Sequence, residues 1–171
     1  DMVKAGEALF VNKQWPEMKF VSPVSGCVTA VERGERRKVL CIKVEADKEQ
    51  TFVDFGKPDI EKMDGRQIFE HIMEAGLVGF NNQLPYAISA IPGRPRTIFV
   101  SALRDKPLAC SFEYEVKGQE QDFVTGLKAL AKITKVYVGV GKTSNLKSHI
   151  SNLEGVETVV LDGPCPAGTL L

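Results

Sequence analysis

Lys135-Val136-Tyr137-Val138-Gly139-Val140 is a β run, and the segments on either side of it decide the fold class. Upstream, Thr97-Ile98-Phe99-Val100-Ser101-Ala102-Leu103 is a second run, apolar on both faces, and downstream 156–161 is a third. Between the first two, 119–133 carries Phe123, Leu127, Leu130 and Ala131 at helical spacing. Between the last two, 145–153 places Leu146, Ile150 and Leu153 on one helical face. Strand–helix–strand–helix–strand with apolar strands predicts a parallel sheet, right-handed crossovers and helices on both faces. The expectation is a three-layer α/β domain over 96–171, continuing beyond this stretch.

The first 57 residues read differently. Short apolar stretches at 7–11, 18–21, 27–31, 39–44 and 50–55 are separated by turn residues, notably Ser22-Pro23-Val24-Ser25-Gly26. Arg33-Gly34-Glu35-Arg36-Arg37 reads as a charged hairpin turn, after which Leu40, Ile42 and Val44 alternate onto one buried face. No helical period occurs here, so 1–57 is predicted as a small all-β unit. At 64–76 the period switches: Ile68, Phe69, Ile72 and Met73 share a helical face, Asp64 and Gln67 form a capping-box pair, and Gly76 is the stop. The stretch 77–95 holds Pro85, Pro92, Pro95, Gly79 and Gly93 without a period, so 58–95 is expected as a helix and irregular linker.

Composition narrows the function classes. The chain has 171 residues, 43% hydrophobic and 26% charged, which is ordinary for a globular protein of one or two domains. Twenty-two Lys+Arg balance 22 Asp+Glu, so the basic footprint of a nucleic-acid binder is missing. Apolar runs fall short of a membrane span. Cys27, Cys41, Cys110 and Cys165 form no Cys-x-x-Cys pair, which argues against a zinc ribbon or an iron–sulfur cluster built by this chain alone. Cysteines of this kind suit a reducing compartment. The opening Asp1-Met2-Val3-Lys4 reads as the start of a piece of a longer polypeptide.

Several motifs carry a sharper reading beside a plainer one. Gly139-Val140-Gly141-Lys142-Thr143-Ser144 follows a strand and opens a helix, where a phosphate loop would place Gly139, Gly141, Lys142 and Thr143. Val136 stands where a P-loop needs its first glycine, and the plainer reading is a turn with Thr143 or Ser144 as helix cap. Lys19 in Glu17-Met18-Lys19-Phe20 has the Met-Lys context of a biotin or lipoyl carrier, yet lies too close to Pro23 for an exposed hairpin tip. His71 and His149 lie on predicted helices without acid–base partners. Asp162-Gly163-Pro164-Cys165-Pro166-Ala167-Gly168 ends the last strand, where open α/β sheets bind ligands, or is a turn stiffened by prolines. No nucleophile, paired-carboxylate or metal constellation emerges, so no catalytic or metal-binding residue is assigned.

Taken in order, the segments resemble the NqrA subunit of the Na⁺-translocating NADH:quinone reductases. They are Val3-Lys4-Ala5-Gly6-x-x-Leu9-Phe10, the run Met18 to Gly26, Arg33-Gly34-x-x-Arg37-x-Val39-Leu40, Pro85-Tyr86, Ile98 to Ala102 with Pro107-Leu108-Ala109, Gly126-Leu127, and Gly163-x-x-Pro166-Ala167-Gly168. Leu84 stands where that family often has a basic residue, and Cys165 where it often has a histidine. The resemblance implies a barrel-sandwich hybrid of the biotin/lipoyl type, short of its first strand, followed by the α/β domain. It implies a peripheral subunit on the cytoplasmic face of the bacterial inner membrane, in a sodium-exporting complex that oxidises NADH and reduces ubiquinone. This chain would hold no cofactor itself, while NADH, flavins, iron–sulfur centres and ubiquinone would be handled through other subunits.

Within that expectation the role is structural and docking, with no independent catalysis and with a part in quinone access. The motivating segment is Leu77-Val78-Gly79-Phe80 to Leu84-Pro85-Tyr86, followed by Ile88 and Ile91, an irregular apolar stretch that must bury itself somewhere. Phe80 and Tyr86 are expected to contact a partner subunit or a quinone ring, or else to cap the chain's own core. Two alternatives stand beside this. One is a flavin- or nucleotide-binding α/β subunit of an Rnf-type electron-transport complex, whose RnfC component shares the first β unit. The other is a carrier domain modified at Lys19.

Overall fold

The structure is a computed structural model that describes residues 1–84, 86 and 88–168. Two units emerge, one formed by Asp1–Pro58 with Glu70–Pro92, the other by Asp59–Phe69 with the chain from Gly93 onward.

In the first unit, β1 (Met2–Val3), β4 (Gly26–Arg33) and β5 (Val39–Ala46) form an antiparallel sheet in the order β1-β4-β5. Strands β2 (Ala8–Val11) and β3 (Lys19–Val21) pair separately, with Phe10 and Phe20 stacked at 4.5 Å. The Ser-Pro-Val-Ser-Gly turn is a hydrogen-bonding knot. Ser22 Oγ donates to the carbonyl of Val24 at 2.6 Å, and buried Ser25 accepts on its Oγ from the Thr51 amide at 2.9 Å. Gln50 clamps the same turn, accepting from the Ser25 amide and donating to the Asp47 carbonyl at 2.6 Å. Gly26 must be glycine because a Cβ there would stand 1.9 Å from the backbone oxygen of Glu45.

The expected strand at 50–55 is not formed. Its role reduces to a single bridge between Ala5 and Phe52, with Val53 donating to Ala5 at 2.9 Å, because the knot around Ser25 already claims the start of the segment. The hairpin turn is a 3₁₀ turn over Glu35–Arg37, with Arg36 and Arg37 both left-handed. Ile42 and Val44 are half-buried as expected, whereas Leu40 is exposed near the hairpin tip with its methyls over Gly34.

Helix α1 (Gly65–Glu74) is fixed by the predicted capping box. Gln67 N donates to Asp64 Oδ1 at 2.8 Å and Asp64 N to Gln67 Oε1 at 3.0 Å. It stops at left-handed Gly76, whose absent Cβ leaves room for Val21 at 2.6 Å. The stretch beyond joins the first unit through a 3₁₀ turn over Leu77–Phe80 that packs on β3, and a two-rung hairpin, β6 (Asn82–Gln83) with β7 (Ile88–Ser89).

In the second unit, β8 (Ile98–Ser101), β9 (Val136–Gly141) and β10 (Val156–Leu161) form a parallel sheet with β9 in the centre. Val136, Val138 and Val140 are fully buried beneath Leu127 of α3 (Glu120–Ile133) and Ile150 of α4 (Lys147–Ile150). A four-residue helix not foreseen from the sequence, α2 (Phe112–Glu115), is capped by Ser111, and its Phe112 meets Phe123 edge-on at 5.3 Å. The helix expected over 145–153 shrinks to α4. Its Leu146 and Ile150 still anchor inward, and beyond Ile150 the chain passes into a turn in which the Leu153 amide donates to the Ile150 carbonyl at 3.2 Å, before left-handed Gly155 leads into β10.

The expectation of helices on both sheet faces is not met among the described residues. Strand order follows chain order, so two crossovers of the same hand carry α3 and α4 to the same face, where they touch each other and the sheet.

Candidate functional site

Two places hold the residues singled out from sequence, one in each unit. In the first unit the segment after α1 is anchored at its base and open at its tip. Val78 is buried, and Gly79 lies flat on the Phe20 ring, where a Cβ would stand 3.2 Å from the ring edge. Asn81 and Ala90 close the base, the Ala90 amide donating to the Asn81 carbonyl at 2.7 Å. Beyond that base the apolar side chains face outward: Phe80 is 81% exposed and Tyr86 72%, with Leu77, Ile88 and Ile91 also exposed. Phe80 and Tyr86 therefore do not cap this chain's own core. Pro85 lies outside the described residues.

In the second unit, Gly139 and Gly141 sit inside β9, in ladder pairing with Val159 and Leu161 of β10. Their backbone is engaged: the Gly139 carbonyl accepts from Ala102 at 2.8 Å and that of Gly141 from Ser144 at 3.1 Å. Both positions are small for a packing reason, because Leu161 lies 2.9 Å from where a Gly139 Cβ would be, and Leu103 3.3 Å from that of Gly141. Lys142 and Thr143 follow in an exposed turn, where Lys142 pairs with Asp162 at 3.4 Å. The Asp162–Gly168 stretch returns to β8: Ser101 Oγ donates to the Gly168 carbonyl at 3.0 Å, and Asp105 accepts from the Gly168 amide at 2.8 Å.

Lys19 lies within β3, paired with Val11, rather than at a hairpin tip. Exposed Cys41 donates its thiol to Glu32 at 3.1 Å, and Glu32 is also salt-bridged to Lys43. The Glu32 carboxylate pushes the Cys41 thiol above its ordinary value, and Lys43 followed by Cys41 holds Glu32 below its own. Among the described residues no group of three or more metal-ligating side chains gathers, and no helix is long and apolar enough to cross a membrane.

Two family models cover this architecture in order. The barrel-sandwich hybrid model for the N-terminal domain of NqrA matches residues 1–47, and the model for the NqrA second alpha/beta domain matches residues 63–170. The chain belongs to the NqrA family. Among similar proteins, the NqrA subunit of the Na(+)-translocating NADH-quinone reductase of Tolumonas auensis is 36% identical over 174 residues. Its counterparts from Vibrio vulnificus and Neisseria meningitidis are 38% and 32% identical. Each alignment covers 98% of this chain and 38% of the relative, so the chain spans well under half the length of these NqrA proteins. The first β unit is thus the barrel-sandwich hybrid of the family, and the parallel sheet belongs to its second domain.

Proposed function

We propose that this chain is part of the NqrA subunit of a Na⁺-translocating NADH:quinone reductase, a peripheral docking component on the cytoplasmic face of the membrane. The complex would couple NADH oxidation to ubiquinone reduction and sodium export. In this reading the redox groups, flavins and iron–sulfur centres, sit in other subunits, and this chain contributes no catalysis of its own. The observation that supports it is the pair of NqrA domain matches, in order, over most of the sequence.

The exposed apolar hairpin of the first unit gives the docking role a location. Phe80 and Tyr86 present two aromatic faces beside Ile88 on an element whose base is fixed by Val78 and Gly79. Such a patch costs solubility unless a partner covers it, and we assign it to a neighbouring subunit or the quinone ring. The test is Phe80→Ala with Tyr86→Ala in the assembled reductase. NADH oxidation by an artificial acceptor should persist, while either subunit retention falls or the KM for quinone rises. Unchanged retention together with unchanged quinone kinetics refutes the assignment.

A further inference from the structure

The β4–β5 hairpin of the first unit carries charge that its surroundings do not answer. The whole chain balances 22 basic against 22 acidic residues, yet Arg33, Arg36, Arg37 and Lys38 crowd one turn, with Glu35 the acidic residue among them. Neighbouring Glu32 is taken by Lys43, and among the described residues no carboxylate pairs with any of the four. Arg33 instead folds back on the turn, donating to the Arg37 carbonyl at 3.2 Å. The far end of the hairpin is acidic, with Glu45, Asp47 and Glu49 around Lys48. Because β1 flanks only Gly26 and Cys27, the strands run on from Val28 and Val44 to Arg33 and Val39 as a two-stranded arm roughly 15–20 Å long. All four basic side chains at its tip are exposed, as are Val31, Val39 and Leu40, and Leu40 lies over Gly34 in the turn itself. Arg36 and Arg37 stand at φ 55° and 62°, the left-handed region that glycine or asparagine occupies at less cost. Strain of this kind collects where side chains serve a function.

We propose that the tip of this arm, residues 33–40, binds the anionic phospholipid headgroups of the membrane beside which the chain works. The guanidinium and ammonium groups meet the phosphates, while Val39 and Leu40 reach between the headgroups. The inference rests on the membrane placement proposed above and is independent of the contact assigned to Phe80 and Tyr86. Size favours lipid over an acidic protein: eight residues are few beside the roughly 20–30 that a stable protein interface commits on each side. A charged membrane asks only for clustered basic groups with a few apolar side chains among them. The acidic base of the arm is repelled by the same surface, which sets the arm tip-first.

The test is co-sedimentation of full-length NqrA with vesicles of equal parts phosphatidylglycerol and phosphatidylcholine, against vesicles of phosphatidylcholine alone. Binding should require phosphatidylglycerol and weaken with added salt. Each basic group near such a surface is worth roughly fivefold in affinity, so Arg36→Gly with Arg37→Gly, which suits the left-handed backbone, should weaken binding at least tenfold. Arg36→Lys with Arg37→Lys keeps the charge and should bind within about twofold of the parent. Lys38→Gln, outside the left-handed pair, gives a second position should the glycines disturb the hairpin, with a loss of about fivefold. Three results overturn the proposal: no preference for phosphatidylglycerol, undiminished binding by the glycine and Lys38→Gln variants, or a loss in the lysine variant equal to that in the glycine variant. The last would assign the tip to a protein carboxylate that reads the guanidinium fork. The vesicle assay reads the lipid contact alone, whereas retention in the reductase reads the docking role, so either can fail without the other.

Discussion

The same substitution at two glycines should move the stability of the second unit in opposite directions. At Gly65, the first residue of α1, a Cβ would stand 2.3 Å from the Lys132 carbonyl oxygen and 3.1 Å from the Ile133 Cα. That is backbone at the end of α3, so no side chain can swing aside, and the overlap is roughly 1 Å inside ordinary contact. The neighbourhood is doubly tied, because Lys132 Nζ donates to the carbonyls of Ile60 and Glu61 at 2.7 Å and of Met63 at 3.0 Å. Overpacking of this kind costs about 1–3 kcal/mol, and a gain of at most ~0.5 kcal/mol in helix propensity offsets part of it in a first turn. At Gly126, inside α3, a Cβ would meet nothing within 4 Å. There the propensity gain acts alone, and Gly126→Ala should stabilise by about 0.5–1 kcal/mol. For a unit of this size 1 kcal/mol moves the midpoint by roughly 4–8 °C. The assay is thermal unfolding at 222 nm. Shifts of the same sign in both variants, or a Gly65→Ala midpoint at the wild-type value, would refute the packing described between α1 and α3.

Three further outcomes follow from the same contacts. Ile150→Ala empties a fully buried site beneath α4 and should cost about 2–5 kcal/mol, read by urea unfolding at 222 nm; a loss under 1 kcal/mol would mean that α4 is not seated on the sheet. Because Glu32 opposes ionisation of the Cys41 thiol, Glu32→Gln should speed alkylation of Cys41 several-fold at pH 8; an unchanged rate would dismiss the hydrogen bond. The Glu157 carboxylate, and then Tyr137, holds the Lys135 ammonium above its ordinary value. A raised lysine contributes stability fully below its unfolded value of about 10.4 and loses it as pH climbs through the folded value. The destabilisation by Glu157→Gln should therefore be level from pH 6 to 9 and fade only above pH 10.4, and fading near neutrality would contradict the pairing.

What the sequence disclosed and what it hid divide along one physical line. Local signals with their own chemistry were legible. Asp64 and Gln67 announced a capping box because both partners lie within one turn, and β10 was bounded correctly by residues that serve no other element. Features set by distant residues were not. The 50–55 segment has strand composition, but its fate depends on Ser25, half the unit away in sequence, which takes the Thr51 amide. Gly139 and Gly141 suggest phosphate chemistry when read as a string, since spacing in a motif says nothing of which leucines cross over them. The sidedness of the sheet was hidden for a related reason. Phe99, Tyr137 and Val159 gave the strands the composition of two-sided burial, while the helices that could provide it both fall on one side because the strand order never reverses.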